Sequence, residues 1–318
     1  MNIVYVFIVC FIVVLGAIMV LPLYPMFEKA PQMVLYPSQM NYKKYEGKSS
    51  YNLLCAKKYP DTLKTESFTV KLEILDGKYS LSGIVGANEV SDPSFGEIEL
   101  VDILNFKDKT YALEKKNGIV FEMLNTQKDN EEVPKYTGLI PRLIIPANKT
   151  NEVNTMKFEN GFVKDDIFHI VAENGIVAAF DGEYRMRWGE WATVFKTALN
   201  PLNCEKVQMG NVVYSRSNFT FGFFPFSCCV SGADEEYGCD KMVLTDMEYN
   251  LIEMVKLPVQ KNQRIQSARL IPFKEDNFVL LVKSKETLDS YFAVMNRKGE
   301  VLMQLTQVGN NVIGFDFI

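Results

Sequence analysis

Histidine is nearly missing from this chain: His169 is the one imidazole in 318 residues. Without imidazole partners the close cysteines Cys228, Cys229 and Cys239 do not make an ordinary zinc knot, because adjacent thiolates rarely share one tetrahedral metal. His169, between Phe168 and Ile170, reads as a packed strand residue. Clustered basic charge is missing too: the net charge is −5 and Lys and Arg are dispersed, which excludes a nucleic-acid surface and leaves a solvated acidic exterior. From Met1 to Phe27 there is no charged side chain, and Ile3 to Leu23 is almost wholly apolar, long enough to cross a bilayer as a helix of roughly 20 residues. That segment reads as a signal anchor or a cleaved signal peptide, so the chain is expected in the ER or Golgi lumen as a type II membrane protein, or secreted. Beyond it no stretch carries a 3.6-residue apolar stripe, which argues against a helical fold.

Five cysteines follow the leader, Cys55, Cys204, Cys228, Cys229 and Cys239. In an oxidising compartment one or two disulfides are expected, with Cys228 or Cys229 closing a short loop to Cys239 and one thiol left over. The sequons at Asn148 and Asn218 agree with lumenal exposure and mark the glycosylation candidates.

What the chain does have is a repeat. Phe106 to Phe121 and Val163 to Ala178 are near copies, 57 positions apart. Each runs Lys-Asp (Lys107-Asp108, Lys164-Asp165), an aromatic (Tyr111, Phe168), an alternating stretch, then Asn-Gly-Ile-Val (Asn117 to Val120, Asn174 to Val177). Self-similarity at a period of tens of residues marks a fold built from stacked units. Asn-Gly between alternating apolar runs signals a tight hairpin, because both central residues of that turn need positive φ. Short alternating runs continue to the C-terminus. Counting weaker ones, such as Trp191 to Lys196, they give about 19 strands, which in blades of four make five blades. The expected fold is all-β, a five-bladed β-propeller of four-stranded antiparallel blades over residues 66–318, after a stem at 28–65 and an N-terminal hydrophobic helix at 1–27. The aromatic cluster Phe219, Phe221, Phe223, Phe224 and Phe226 reads as strand core, and Trp188 and Trp191 sit in more polar company.

The run Arg269-Leu-Ile-Pro-Phe, Phe278 to Glu286, Tyr291 to Val294, Lys298 to Leu302 and Gly314 to Ile318 resembles the end of the calcium-activated nucleotidases, the soluble apyrases. Glu99 to Phe106 is similar to that family's Glu-Leu-Ser-Asp-Leu run, and Phe158 to Asp166 to its Glu-Trp-x-x-Val-Lys-Asp segment. Phe223-Phe224-Pro225 falls where the family has aromatics before Leu-Pro-Arg. The resemblance implies a five-bladed propeller whose central channel holds one Ca²⁺ against a nucleoside di- or triphosphate. Such an ion takes 6 to 8 hard oxygens, some of them carboxylates.

Carried over residue by residue, the resemblance puts calcium ligands at Glu159, Asn211 and Ser267. It puts Val101 and Ile313, which have no side-chain oxygen, where the family has Ser and Glu. The family's acidic first-strand run becomes Leu63-Lys64-Thr65-Glu66-Ser67, with Lys64 at an Asp position and Asp61 nearby. Its Gly-Lys-Glu-Trp segment becomes Ala172 to Gly175, and its phosphate-holding Arg becomes Phe226 or Ser227. No catalytic residue is assigned. The expectation is therefore a secretory apyrase-family protein whose Ca²⁺-dependent hydrolysis of nucleotides such as UDP, GDP or ADP is weakened or lost. The alternative is a non-catalytic lumenal or extracellular binding or scaffold propeller.

Overall fold

Alternating side chains and two-residue turns set the local structure from Ser50 onward. The computed structural model describes residues 47–59, 64–90, 98–127, 134–146, 155–173, 175–204, 207–208, 210–228, 238–260 and 262–318. The leader, most of the expected stem, Asp61, Asn148 and Cys229 lie outside them.

Twenty strands form five four-stranded antiparallel sheets, the blades of a β-propeller. Blade 1 holds β1 (Ser50–Lys58), β2 (Thr65–Leu75) and β3 (Lys78–Val90), with β20 (Val312–Phe317) on the inner side of β1. Blade 2 is β4 (Leu100–Phe106), β5 (Lys109–Glu114), β6 (Ile119–Asn125) and β7 (Tyr136–Ile144). Blade 3 is β8 (Phe158–Lys164), β9 (Ile167–Ala172), β10 (Ile176–Phe180) and β11 (Met186–Glu190). Blade 4 is β12 (Asn211–Ser215), β13 (Thr220–Phe224), β14 (Lys241–Thr245) and β15 (Leu251–Lys256). Blade 5 is β16 (Gln263–Ile271), β17 (Lys274–Ser284), β18 (Asp289–Asn296) and β19 (Val301–Asn310). β20, β4, β8, β12 and β16 touch one another in that order around the axis and form the inner ring. Five apolar clusters fill the five seams between neighbouring blades, so most of the burial that stabilises the fold lies between sheets.

Three expectations need correction. The propeller begins at Ser50, inside the expected stem. Leu53, Leu54, Cys55 and Ala56 of β1 are all fully buried, so both faces are apolar and no alternation marks the strand. Trp191 to Lys196 is not a strand: Ala192–Leu199 is a short helix, α1, which buries Phe195, Ala198 and Leu199 at helical spacing, and the fourth strand of blade 3 is Met186–Glu190 instead.

The third correction concerns the turns. The two-residue turns with paired positive φ fall at Lys107-Asp108 (48° and 64°) and Asp165-Asp166 (49° and 60°), not at Asn117-Gly118, and Asn174 lies outside the described residues. Gly118 and Gly175 carry positive φ in longer connections. Because the tight turn slides by one residue between the copies, β5 and β9 present opposite faces at matching positions. Tyr111 therefore points to blade 3 and Phe168 to blade 2, and the two rings meet in one seam at 5.8 Å.

Candidate functional site

The inner strands share one irregularity. Pairing with the second strand skips a residue at Val101 in β4, Glu159 in β8, Gln266 in β16 and Ile313 in β20. In blade 4 the backbone of Gln208 bonds Phe226 and Asn211 pairs with Phe224, which puts Gly210 in the same place. A Cβ at Gly210 would lie 1.8 Å from the Phe224 carbonyl oxygen, so only glycine fits. Val101, Glu159, Gly210, Gln266 and Ile313 thus form one layer around the axis, and Asp102, Asn160, Asn211, Ser267 and Gly314 the next.

These two layers are sewn together by side chains reaching from blade to blade. The Asn160 amide donates to the Gly210 carbonyl, and the Asn211 amide donates to the Gln266 carbonyl at 2.8 Å, the same step one blade on. Gln266 Nε2 donates to the Ile313 carbonyl at 3.4 Å, and the backbone N–H of Gly161 donates to Asp102 at 3.2 Å. The Asn105 amide donates to the Phe317 carbonyl, and its backbone N–H to Asp316 at 2.6 Å. Every seam carries at least one such bond. The Oδ1 atoms of Asn160 and Asn211 are buried with no partner.

Arg269 reaches from β16 across the channel. Its Nη2 lies 2.8 Å from both carboxylate oxygens of Asp102 and also donates to the Ile103 carbonyl, while Nη1 donates to the Ala268 carbonyl. Nε lies 3.7 Å from Asp316, and Ser267 Oγ donates to Asp102 at 3.3 Å. Burial pushes the Asp316 carboxyl up to about 6 against the pull of Arg269 and two backbone N–H groups. Burial likewise raises Asp102, opposed first by the guanidinium.

The expected ligands do not fall in one layer. Val101, Glu159 and Ile313 occupy the skipped positions, but Asn211 and Ser267 lie one residue beyond; the register puts Gly210 and Gln266 in line with the other three. Glu159 is 8 % exposed and has Lys115 at 3.9 Å; burial raises its carboxyl, and Lys115 and Arg264 oppose that. The Gln266 amide oxygen accepts from Arg264 at 3.1 Å, and the Ser267 hydroxyl is spent on Asp102. The ring at the skipped positions therefore offers one carboxylate, already beside a cation. Among the described residues no three Asp, Glu, His or Cys side chains group as a metal site would need. The two open amide oxygens carry no charge, and Asp102 is neutralised by Arg269. The described residues do not fit a family-type calcium centre.

The other candidates are structural. Thr65 and Ser67 are buried on β2, two strands out from the axis; Ser67 donates to the Tyr136 carbonyl, Glu66 accepts from Tyr59 and Lys64 pairs with Glu89 at 2.9 Å. His169 stacks on Phe162 at 4.7 Å, and burial lowers it to about 4. Trp191 packs among Phe162, Phe195, Phe221 and Tyr249, and Trp188 against the seam of blades 2 and 3. Phe221, Phe223, Phe224 and Phe226 are core, while Phe219 is exposed in a hairpin tip. Cys228 pairs with Cys239, Cys204 is bridged and Cys55 is a buried free thiol. At Asn218 the amide nitrogen donates to Ser215 Oγ and Asp276 Oδ1.

Asp102, Asn160, Gly210, Gln266, Arg269 and Asp316 carry no local sequence mark of a site. The signal that leads to them is the repeat: Asp102 and Asn160 just precede its two copies.

A family model described as Apyrase matches residues 94–318. An apyrase of Phlebotomus duboscqi is 21% identical over 232 residues, covering 64% of this chain and 66% of that protein. Among solved structures, a quinonprotein alcohol dehydrogenase-like protein of Bacteroides thetaiotaomicron superposes with a TM-score of 0.38 at 10% identity, over 84% of this chain and 68% of that one. Myxococcus xanthus glutaminyl cyclase gives 0.36 at 6% identity, over 77% and 87%.

Proposed function

This chain belongs to the apyrase family, and from that premise we propose that it binds nucleoside di- or triphosphates while Ca²⁺-dependent hydrolysis is weakened or lost. The observation that carries this reading is the composition of the channel ring. Glu159 is its one carboxylate, and it faces Lys115. Ca²⁺ affinity in oxygen sites follows ligand charge and number, so one partly neutralised carboxylate with two neutral amides holds the ion poorly. The positions that the resemblance implies for phosphate-holding cations carry Ala172 to Gly175 and either Phe226, which is buried, or Ser227. Phosphoryl transfer depends on positioning and on cationic stabilisation of the phosphates, so losing these groups together costs orders of magnitude in rate.

A secretory location, lumenal or extracellular, goes with this reading. The bridged cysteines support it, as does the apolar leader, which lies outside the described residues; no described helix is long and apolar enough to cross a membrane. The test is phosphate release from UDP, GDP and ADP in millimolar Ca²⁺ against a chelator control. Release at the background rate in both arms is expected. Turnover that appears with Ca²⁺ at the rate of a competent apyrase overturns the loss of catalysis.

A further inference from the structure

We propose that the channel mouth binds a phosphate-bearing ligand directly on lysines that three neighbouring blades contribute at one register position, with no divalent cation required. The proposal rests on the nucleotide-binding reading above.

The register identifies the position. One residue before the apolar entry of each inner strand, a backbone carbonyl accepts from the end of the second strand. Lys58 N–H donates to Asn311, Lys115 to Glu99, Glu173 to Lys157 and Phe226 to Gln208; in blade 5 the matching pair is Arg264 opposite Lys283. The equivalent second-strand residues are therefore Lys58, Lys115, Glu173, Phe226 and Lys283. Blades 5, 1 and 2 are consecutive around the ring, so Lys283, Lys58 and Lys115 form an arc at one end of the channel. Each is partly buried.

The arc is electrostatically uncomfortable as it stands. Arg264 and Lys283 face each other across a strand pair, and like charges directly opposite destabilise a sheet. Lys283 Nζ donates to Asn311 Oδ1, a neutral acceptor, and neither Lys58 nor Lys283 has an ion pair among the described residues. Burial, then Arg264 and Lys58, hold the Lys283 ammonium down to about 8, so repulsion across the mouth reaches the group. An anion over blades 5 and 1 relieves that repulsion and favours the charged form. On blade 2 Lys115 already has Glu159 at 3.9 Å, and Glu99 interacts with both Lys58 and Lys115, so the phosphates sit chiefly over blades 5 and 1 and Lys115 closes the arc as its weakest member. Ammonium groups suit this task, since a lysine holds phosphate as a point charge.

The experiment is calorimetric titration of the full chain with inorganic pyrophosphate, UDP and UMP, all in EDTA. Pyrophosphate and UDP are expected to bind and UMP to bind more weakly. Lys283→Gln weakens UDP about tenfold, the worth of one charged contact, while Lys283→Arg keeps most of it. Lys58→Gln and Lys115→Gln give the same direction and serve if Lys283→Gln fails to fold by circular dichroism. UDP tighter than pyrophosphate assigns the site to a nucleotide; equal affinities assign it to phosphate alone, and both support the arc. No binding in EDTA, binding that appears only with added calcium, or affinities unmoved by the lysine variants overturn it. Calcium-dependent turnover in the phosphate-release assay would overturn the loss of catalysis while leaving the lysine arc standing.

Discussion

Arg269→Met asks whether the charge pair at the centre of the ring holds the blades together. The wild-type guanidinium is 7 % exposed and Asp102 1 %. Methionine keeps the stem's apolar packing and removes two contacts of 2.8 Å to the carboxylate, along with the bonds to the Ile103 and Ala268 carbonyls. The stranded Asp102 retains Gly161 N–H, Ile103 N–H and the Ser267 hydroxyl, which do not replace a countercharge. Breaking a buried pair from one side costs about 3–5 kcal/mol. For a propeller of this size each kcal/mol moves the melting temperature by about 2 °C, so Tm falls by roughly 6–10 °C. Asp102→Asn with Arg269→Met removes the stranded charge and recovers part of the loss, giving a coupling of about 0.5–3 kcal/mol in a double-mutant cycle. Thermal and urea unfolding followed by circular dichroism measure both. A single variant melting within about 2 °C of wild type, or a strictly additive double variant, refutes the argument.

Two further outcomes follow from buried titratable groups. Asp316 is raised to about 6 against an ordinary aspartate near 3.8, so the folded state holds its proton more tightly. Its stabilisation is full below about pH 4 and is lost as pH rises through 6, up to about 3 kcal/mol. Asp316→Asn should flatten the stability difference between pH 4 and 7 in urea melts, and an unchanged slope counts against it. Cys55 is buried and its thiol pushed up, so it should react with a thiol reagent at pH 8 only after denaturation; native labelling would contradict the packing of β1.

The sequence carried the propeller because blade seams demand apolar side chains at period two, and most strands show that period on one face. It did not carry β1, whose two faces are both buried, or α1, too short for a helical stripe to stand out. The site was legible only in part. Val101, Glu159 and Ile313, which the resemblance picks out, share one skipped register position, each preceding a residue that resumes normal pairing. Asn211 and Ser267 lie one residue beyond that position, a slip the sequence does not reveal because a skipped residue leaves no mark in composition and one residue exchanges the faces of a strand. Arg269 and Asp316 were invisible for another reason. Their partners Asp102 and Asn105 lie on blade 2, far away in sequence, and a charge in an apolar strand reads the same whether it is exposed or paired.

The union of β20 with β1 sets an order of events for folding. Asn311 bonds the Lys58 carbonyl across 253 positions, and β20 pairs along β1 from Leu53 to Lys57. Until β20 is synthesised, β1 presents an unpaired backbone edge flanked by Leu53, Leu54 and Cys55, and the ring of bonds around the axis stays open at blade 1. Contacts that close loops this long form late, because chain entropy must be spent before they return any stabilisation. Before closure the chain therefore has a three-stranded blade 1 with β1 as an open edge, the kind of edge on which other chains pair.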